Sequence, residues 1–177
     1  MCSIGEMIEM VSQDPAITQD GKSAYFKVEG FVSFFPGIAD GQRQAFYMAC
    51  KVCKKKVLDE SAGYHCEKCG KLFEEAVPSW NFSAKVNDYS NESVYLQFLG
   101  EQGSPIMGSD ASEFHQMMQE GENSSILVKQ ALDRCYFKTW QFVIRVMLDT
   151  FMGSSQTETG PRFRYTCSRV YEYSVSK

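Results

Sequence analysis

Alternating apolar and polar positions dominate the chain, with helical spacing at its start and in one central stretch. In residues 3–13, Ile4, Met7, Ile8 and Val11 fall on one helical face, which predicts an amphipathic helix with Ser3 as N-cap and Pro15 beyond its end. Residues 25–35 are aromatic and β-branched but interrupted by Gly30, the pattern of a strand that bends. A short strand is expected at 46–49. In residues 80–87, Trp80, Phe82, Ala84 and Val86 share one face, while Asn81, Ser83, Lys85 and Asn87 share the other. Residues 93–100 form a second such run, with Val94, Leu96 and Phe98 on one face, and the polar connector before it predicts a turn. Residues 103–108 read as a loop. Helical spacing returns at 109–120 through Phe114, Met117 and Met118, and at 125–135 through Leu127, Val128, Ala131 and Leu132. Two long strands, 138–151 and 161–173, are expected to close the chain around a polar loop at 152–160.

The order is a bent strand, a short strand, two paired strands, a helical connection and two long strands. No β-α-β alternation occurs, which excludes a parallel α/β sheet. The expected class is mainly β with helices (α+β): a five-stranded antiparallel OB-fold barrel, with helices at 109–135 before the fourth strand. One domain is expected over residues 1–177, interrupted by an insertion at 50–75.

That insertion carries the most specific chemistry. Cys50-x2-Cys53 and Cys66-x2-Cys69 are matched pairs separated by twelve residues. Each pair can set two sulfurs on one tight turn, and two such turns supply the four thiolates of a closed tetrahedral site for one structural Zn²⁺. Disulfides or a redox pair are the alternatives, but a thioredoxin-type site requires a β-α-β setting. His65 is surplus to a complete four-sulfur set. The other cysteines, Cys2, Cys135 and Cys167, are odd in number, which suits a reducing compartment, nucleus or cytosol. No apolar run approaches a membrane span, so no membrane contact is expected.

The ribbon text CKVCKKKVLDESAGYHCEKCG, with GFVSFF and AFYMAC before it and AKVNDYSNESVYLQF and FVIRVMLDTF after it, resembles the C-terminal zinc-ribbon OB domain of the replication protein A large subunit. The likeness is collinear over nearly the whole chain. It implies single-stranded DNA binding, zinc, a nuclear location, tandem OB domains in the same protein and assembly with two smaller replication protein A-like subunits. Telomere-specialised paralogues share the domain, one of them a telomerase processivity factor, so a telomeric paralogue that binds G-rich strands, with telomerase as partner, is an alternative. A subunit-assembly module with little DNA binding is a further alternative. The family's first cysteine pair is more widely spaced than Cys50 and Cys53, a difference that tetrahedral coordination tolerates. The family also continues past its last strand into an assembly helix, whereas this chain stops soon after Tyr173.

Eighteen Lys and Arg against 22 Asp and Glu leave a net charge of −4, so strand binding has to rely on stacking and local cations. The resemblance puts Tyr89 and Phe98 at or beside the OB groove. Their alternatives are a turn aromatic for Tyr89 and a core side chain for Phe98, which shares its face with Val94 and Leu96. Lys85 projects away from the aromatic face, and Lys138, Arg145 and Arg164 complete the candidate phosphate contacts. Phe31, Phe34 and Phe35 read as packing residues, and the ribbon lysines 51, 54, 55 and 56 as solubilising. Asp88 and Asp149 show no evident partner. No phosphate-cradling, zinc-protease or nucleophile-elbow motif is present, so an enzyme is not expected.

Overall fold

Ser3 starts the first helix, as its sequence predicts. In the computed structural model, which describes residues 1–149 and 161–173, α1 runs Ile4–Gln13. The Ser3 hydroxyl accepts the Glu6 amide at 3.1 Å, and the Glu6 carboxylate accepts the Ser3 amide at 2.7 Å, a reciprocal capping box. Pro15 begins a second short helix, α2 (Pro15–Thr18), where the Asp14 carboxylate accepts the Ala16 amide at 2.8 Å. The strands are β1 (Ala24–Phe34), β2 (Phe46–Ala49), β3 (Leu58–Glu60), β4 (Gly63–Cys66), β5 (Lys71–Phe73), β6 (Val77–Asn87) and β7 (Ser93–Leu99). Helices α3 (Gly103–Met107), α4 (Ala111–Met118) and α5 (Ser124–Asp133) follow, then β8 (Thr139–Leu148) and β9 (Phe163–Glu172). The expected 152–160 loop and the last two residues of the expected 138–151 strand lie outside the described residues.

Two compact units emerge. One comprises residues 1–35, 83–97 and the described part of 136–177; the other comprises 36–82 and 98–135. In the first, β1 pairs antiparallel with β8 from Ala24↔Val146 to Phe31↔Thr139, and β8 pairs antiparallel with β9. At Phe31 the strand changes partner, since Phe31 also stands in register with Asn87 of β6. Gly30 precedes this crossing, and a Cβ there would sit 2.6 Å from the Asn87 carbonyl oxygen, so only glycine fits. The bend expected from Gly30 is a change of partner with close backbone approach.

The wholly antiparallel expectation needs correction. β7 meets β9 in parallel, through Leu96↔Tyr165 and Gln97↔Thr166. That pairing is short, and the expected barrel is not closed. A residue-level alternation pattern carries no strand direction, so the parallel link is not legible in it.

In the second unit, β2 pairs antiparallel with the first half of β6, and β3, β4 and β5 form a small antiparallel sheet. Trp80 packs edge-on to Phe82 at 5.6 Å and against Phe114 of α4 at 5.2 Å. The segment expected as a loop at 103–108 contains α3. Gly103 permits it, because a Cβ there would lie 2.6 Å from the Trp80 ring, and Ile106 and Met107 are buried.

One polar contact fixes the turn between β6 and β7. Asp88 is buried, and its carboxylate accepts the Ile4 amide at 2.5 Å, the Ser90 amide at 2.8 Å and the Ser90 hydroxyl at 2.6 Å. The Gly5 amide donates to the same Ser90 hydroxyl at 3.3 Å. Asp88 thus has partners that the sequence does not reveal: the free amides at the start of α1, an end that favours negative charge. Asp88→Ala should orphan these donors and cost about 1–3 kcal/mol. For a chain of this size the thermal midpoint should fall by roughly 2–4 °C per kcal/mol, read by circular-dichroism melting; an unchanged midpoint would refute the anchoring role.

Candidate metal centre and binding face

The four cysteines converge as their spacing predicts. Cys50 follows directly on β2, Cys66 ends β4, and their partners Cys53 and Cys69 lie on the two adjoining turns. The first turn is closed by the Lys54 amide donating to the Cys50 carbonyl at 3.0 Å, the second by the Gly70 amide donating to the Cys66 carbonyl at 2.8 Å. The Cys50 and Cys69 sulfurs lie 3.9 Å apart, those of Cys53 and Cys66 3.5 Å apart, and all four fall within 4.8 Å of one another. Four sulfurs each about 2.3 Å from a central tetrahedral ion would stand about 3.8 Å apart, so the set fits a metal ion. The same separations are far beyond the roughly 2.0 Å of a disulfide.

Cys50, Val57 and Cys66 form the small buried cluster of this module, with Met48, Tyr64, Phe73 and Ala76 packed against it. The Cys53 backbone amide, donating to the Cys50 sulfur, pulls that thiol down to about 7. Hydrogen bonding with the Cys53 side chain pushes Cys69 up to about 12. A metal ion held here would require the four sulfurs as thiolates. His65 is outside the ligand set, its Nδ1 lying 3.6 Å from a Glu60 oxygen. Lys51 is held by Glu75, while Lys54, Lys55 and Lys56 are exposed.

The second feature is a sheet face in the first unit. Because Ala84 and Val86 are buried, Ser83, Lys85 and Asn87 project outward, and because Val94 and Leu96 are buried, so do Tyr95 and Gln97. Ser33 joins them from β1, its hydroxyl meeting the Asn87 side-chain oxygen at 2.5 Å and the Lys85 carbonyl at 3.3 Å. A cleft of about 420 Å³ opens here, lined by Ser83, Tyr95, Gln97, Asp149, Phe163, Arg164 and Tyr165. Tyr95 is 55% exposed, and burial raises the Tyr165 hydroxyl above its ordinary pKa.

The expected contact residues distribute unevenly over this structure. Lys85 lies on the outward face, and Tyr89 stands 82% exposed on the turn seated by Asp88. Arg164 lines the cleft, its guanidinium donating to Asp149 at 2.8 Å, so Asp149 also has a partner that the sequence does not reveal. Lys138 is outside the cleft lining; its ammonium donates to Glu172 at 3.0 Å and lies 4.4 Å from the Trp140 ring centre. Arg145 is also outside it, in register between Tyr25 and Thr166 on β8, with a buried Nε that has no hydrogen-bond partner among the described residues.

Phe98 requires correction. It is fully buried and stacks on Phe82 at 5.1 Å, so it offers no ring surface to a base. The alternation that puts Phe98 with Val94 and Leu96 assigns the outward place to Tyr95, an aromatic that the family resemblance does not single out. Phe137 carries no sequence signal of its role: it is 70% exposed, its ring 5.7 Å from Phe31, and its amide donates to the Val32 carbonyl at 3.0 Å. It adopts φ +61°, a strained position for a bulky residue. Phe34, expected as packing, is 48% exposed, whereas Phe35 is buried against Tyr136.

Loading the protein with metal should shield four of its seven cysteines from a thiol reagent, and a chelator should restore them. Cys66→Ser should abolish this difference while the other buried thiols, Cys135 and Cys167, react only on unfolding. Equal thiol counts with and without metal would exclude the centre.

Residues 25–177 match the model of the family described as Replication factor-A C terminal domain. The chain is 27% identical over 152 residues to a replication protein A 70 kDa DNA-binding subunit of Arabidopsis thaliana, covering 85% of this chain and 23% of that protein. It is 30% identical over 120 residues to a rice (Oryza sativa subsp. japonica) protein of the same description, covering 67% of this chain and 18% of that protein. The chain thus spans about a quarter or less of these relatives. Two solved structures share the fold: a replication protein A heterotrimer bound to single-stranded DNA and a yeast replication protein A bound to single-stranded DNA. The first aligns with TM-score 0.76 at 24% identity over 98% of this chain and 36% of the other. The second aligns with TM-score 0.72 at 21% identity over 99% of this chain and 89% of the other.

Proposed function

Since the chain belongs to the Replication factor-A C terminal domain family, we propose that it binds single-stranded DNA across the outward face of β6 and β7. The observation that carries this reading is the set of exposed rings and a cation on that face and its turn: Tyr89, Tyr95 and Lys85. Bases stack on the rings at about 1–3 kcal/mol each, and Lys85 meets the phosphates. Two such platforms suffice to outweigh the repulsion from a net charge of −4. Arg164 contributes from the cleft once its pairing with Asp149 loosens. Lys138 and Arg145 lie outside the cleft and have at most a secondary role.

The role is non-catalytic: rings, amides and cations on this face hold a strand, and the four-sulfur site leaves no open position for substrate. The ion is Zn²⁺, for which an all-thiolate tetrahedron is the customary structural site. It staples residues 50–75, an insertion with a small core of its own. The partners are single-stranded DNA, tandem OB domains of the same protein and smaller replication protein A-like subunits, and the compartment is the nucleus. The matched relatives, several times longer than this chain, support that setting.

Fluorescence anisotropy of the metal-loaded protein with labelled single strands tests the reading at several salt concentrations. Tyr95→Ala should weaken binding roughly 5- to 150-fold, the loss of one stacked base, and leave the salt dependence unchanged. Lys85→Ala should lower the slope of log K against log salt by about 0.7, one phosphate contact. Binding that ignores both substitutions would overturn the assignment of this face. Elemental analysis of the purified protein should find one zinc per chain, and another metal or none would correct the identity of the ion.

A further inference from the structure

The outward row of β6 continues beyond that strand. Phe31 of β1 stands in register with Asn87 of β6 on one side and with Thr139 of β8 on the other. Residues in register point to the same side of a sheet, so the outward face of β6 runs on across β1 to β8 and β9. Where it crosses β1, the ring of Phe137 meets that of Phe31 at 5.7 Å and is 70% exposed. Its backbone stands at φ +61°, a costly conformation for a bulky residue, and the Val32 carbonyl holds its amide there. Packing does not explain an apolar ring presented to solvent in this way.

Beyond the crossing the outward face turns cationic. Burial of Phe142, Ile144 and Val146 leaves Val143 and Arg145 outward on β8. Lys27 of β1 and Arg169 of β9 flank Val143, about 10 Å apart across two strand spacings, and Tyr25 and Thr166 flank Arg145. Lys27 and Arg169 are exposed, and none of the three cations makes an ion pair among the described residues. Tyr25 and Tyr171 are exposed beside them, and the half-buried Glu29 is the carboxylate of the same row. In a chain of net charge −4, three cations in neighbouring positions without a counter-charge mark a place for an anion. Rings interleaved with cations suit a single strand better than an acidic protein segment, which needs no stacking platforms.

We propose that a bound single strand longer than the β6–β7 face continues over the Phe31–Phe137 ring pair onto the outer side of β1, β8 and β9, with Lys27, Arg145 and Arg169 on its phosphates. The extension rests on strand binding at β6 and β7, and it gives Arg145 a place outside the cleft.

The test measures anisotropy of the metal-loaded protein with labelled oligothymidines of about 6 and about 14 nucleotides, both within the range of one OB fold, at several salt concentrations. The longer strand should show a slope of log K against log salt steeper by about 2, three further phosphate contacts. Lys27→Ala with Arg169→Ala should lower the slope of the longer strand by about 1.4 and leave binding of the shorter one unchanged. Phe137→Asn, a residue that tolerates this backbone conformation, should weaken the longer strand alone by roughly fivefold or more. Melting curves check that each variant folds. Equal salt slopes for the two strands, or a longer strand indifferent to all three substitutions, would overturn the extension and leave strand binding at β6 and β7 intact. Absence of binding to either strand would overturn both.

Discussion

On a β-strand a side chain faces one side of the sheet only, and the outward face of β6 and β7 is what that rule leaves over once the interior is filled. Burying Ala84 and Val86 commits Ser83, Lys85 and Asn87 to the outside, and burying Val94 and Leu96 commits Tyr95 and Gln97. A one-residue slip in either strand would exchange the two sets, placing Lys85 in the interior and Val86 in solvent. Register therefore decides which residues the outward face presents. Gly30 belongs to the same economy of space, since β1 can change partner from β8 to β6 only where no Cβ intervenes.

The cysteine module obeys a different rule. Two of its three short strands, β3 and β5, carry mostly exposed side chains, and its buried cluster is small. Hydrophobic burial of that size is small against the conformational entropy of an insertion, and an ion held by the four sulfurs would couple its binding to the module's folding. The four sulfurs could thus hold the ribbon through a metal ion, whereas the sheet face rests on packing.

Much of this is legible in the sequence, for local reasons. The two cysteine pairs announce the metal centre because ligand spacing is a short-range property, and the alternation at 80–87 and 93–99 announces which face is buried. What escapes depends on contacts between distant segments. The parallel meeting of β7 and β9, the seat of Asp88 against α1 and the pairing of Asp149 with Arg164 each join residues whose register no single-strand pattern encodes. Phe98 is a different kind of discrepancy. Its alternation with Val94 and Leu96 argues for the interior, while family resemblance argues for the groove, and the pleat decides. Tyr95 is visible by the same alternation, as the aromatic left on the opposite side.

The Asp88 contact also bears on when order is imposed. The turn carrying Tyr89 would, as a free hairpin tip, sample many conformations and have to be immobilised by whatever stacks on it. Here the first turn of α1 holds Asp88 and Ser90 on either side of the tyrosine, so that entropy is lost during folding, before a ligand arrives. The helix that does this lies ahead of the family-matched region, which starts at residue 25. A segment ahead of the family-matched region thus orders the turn that carries Tyr89.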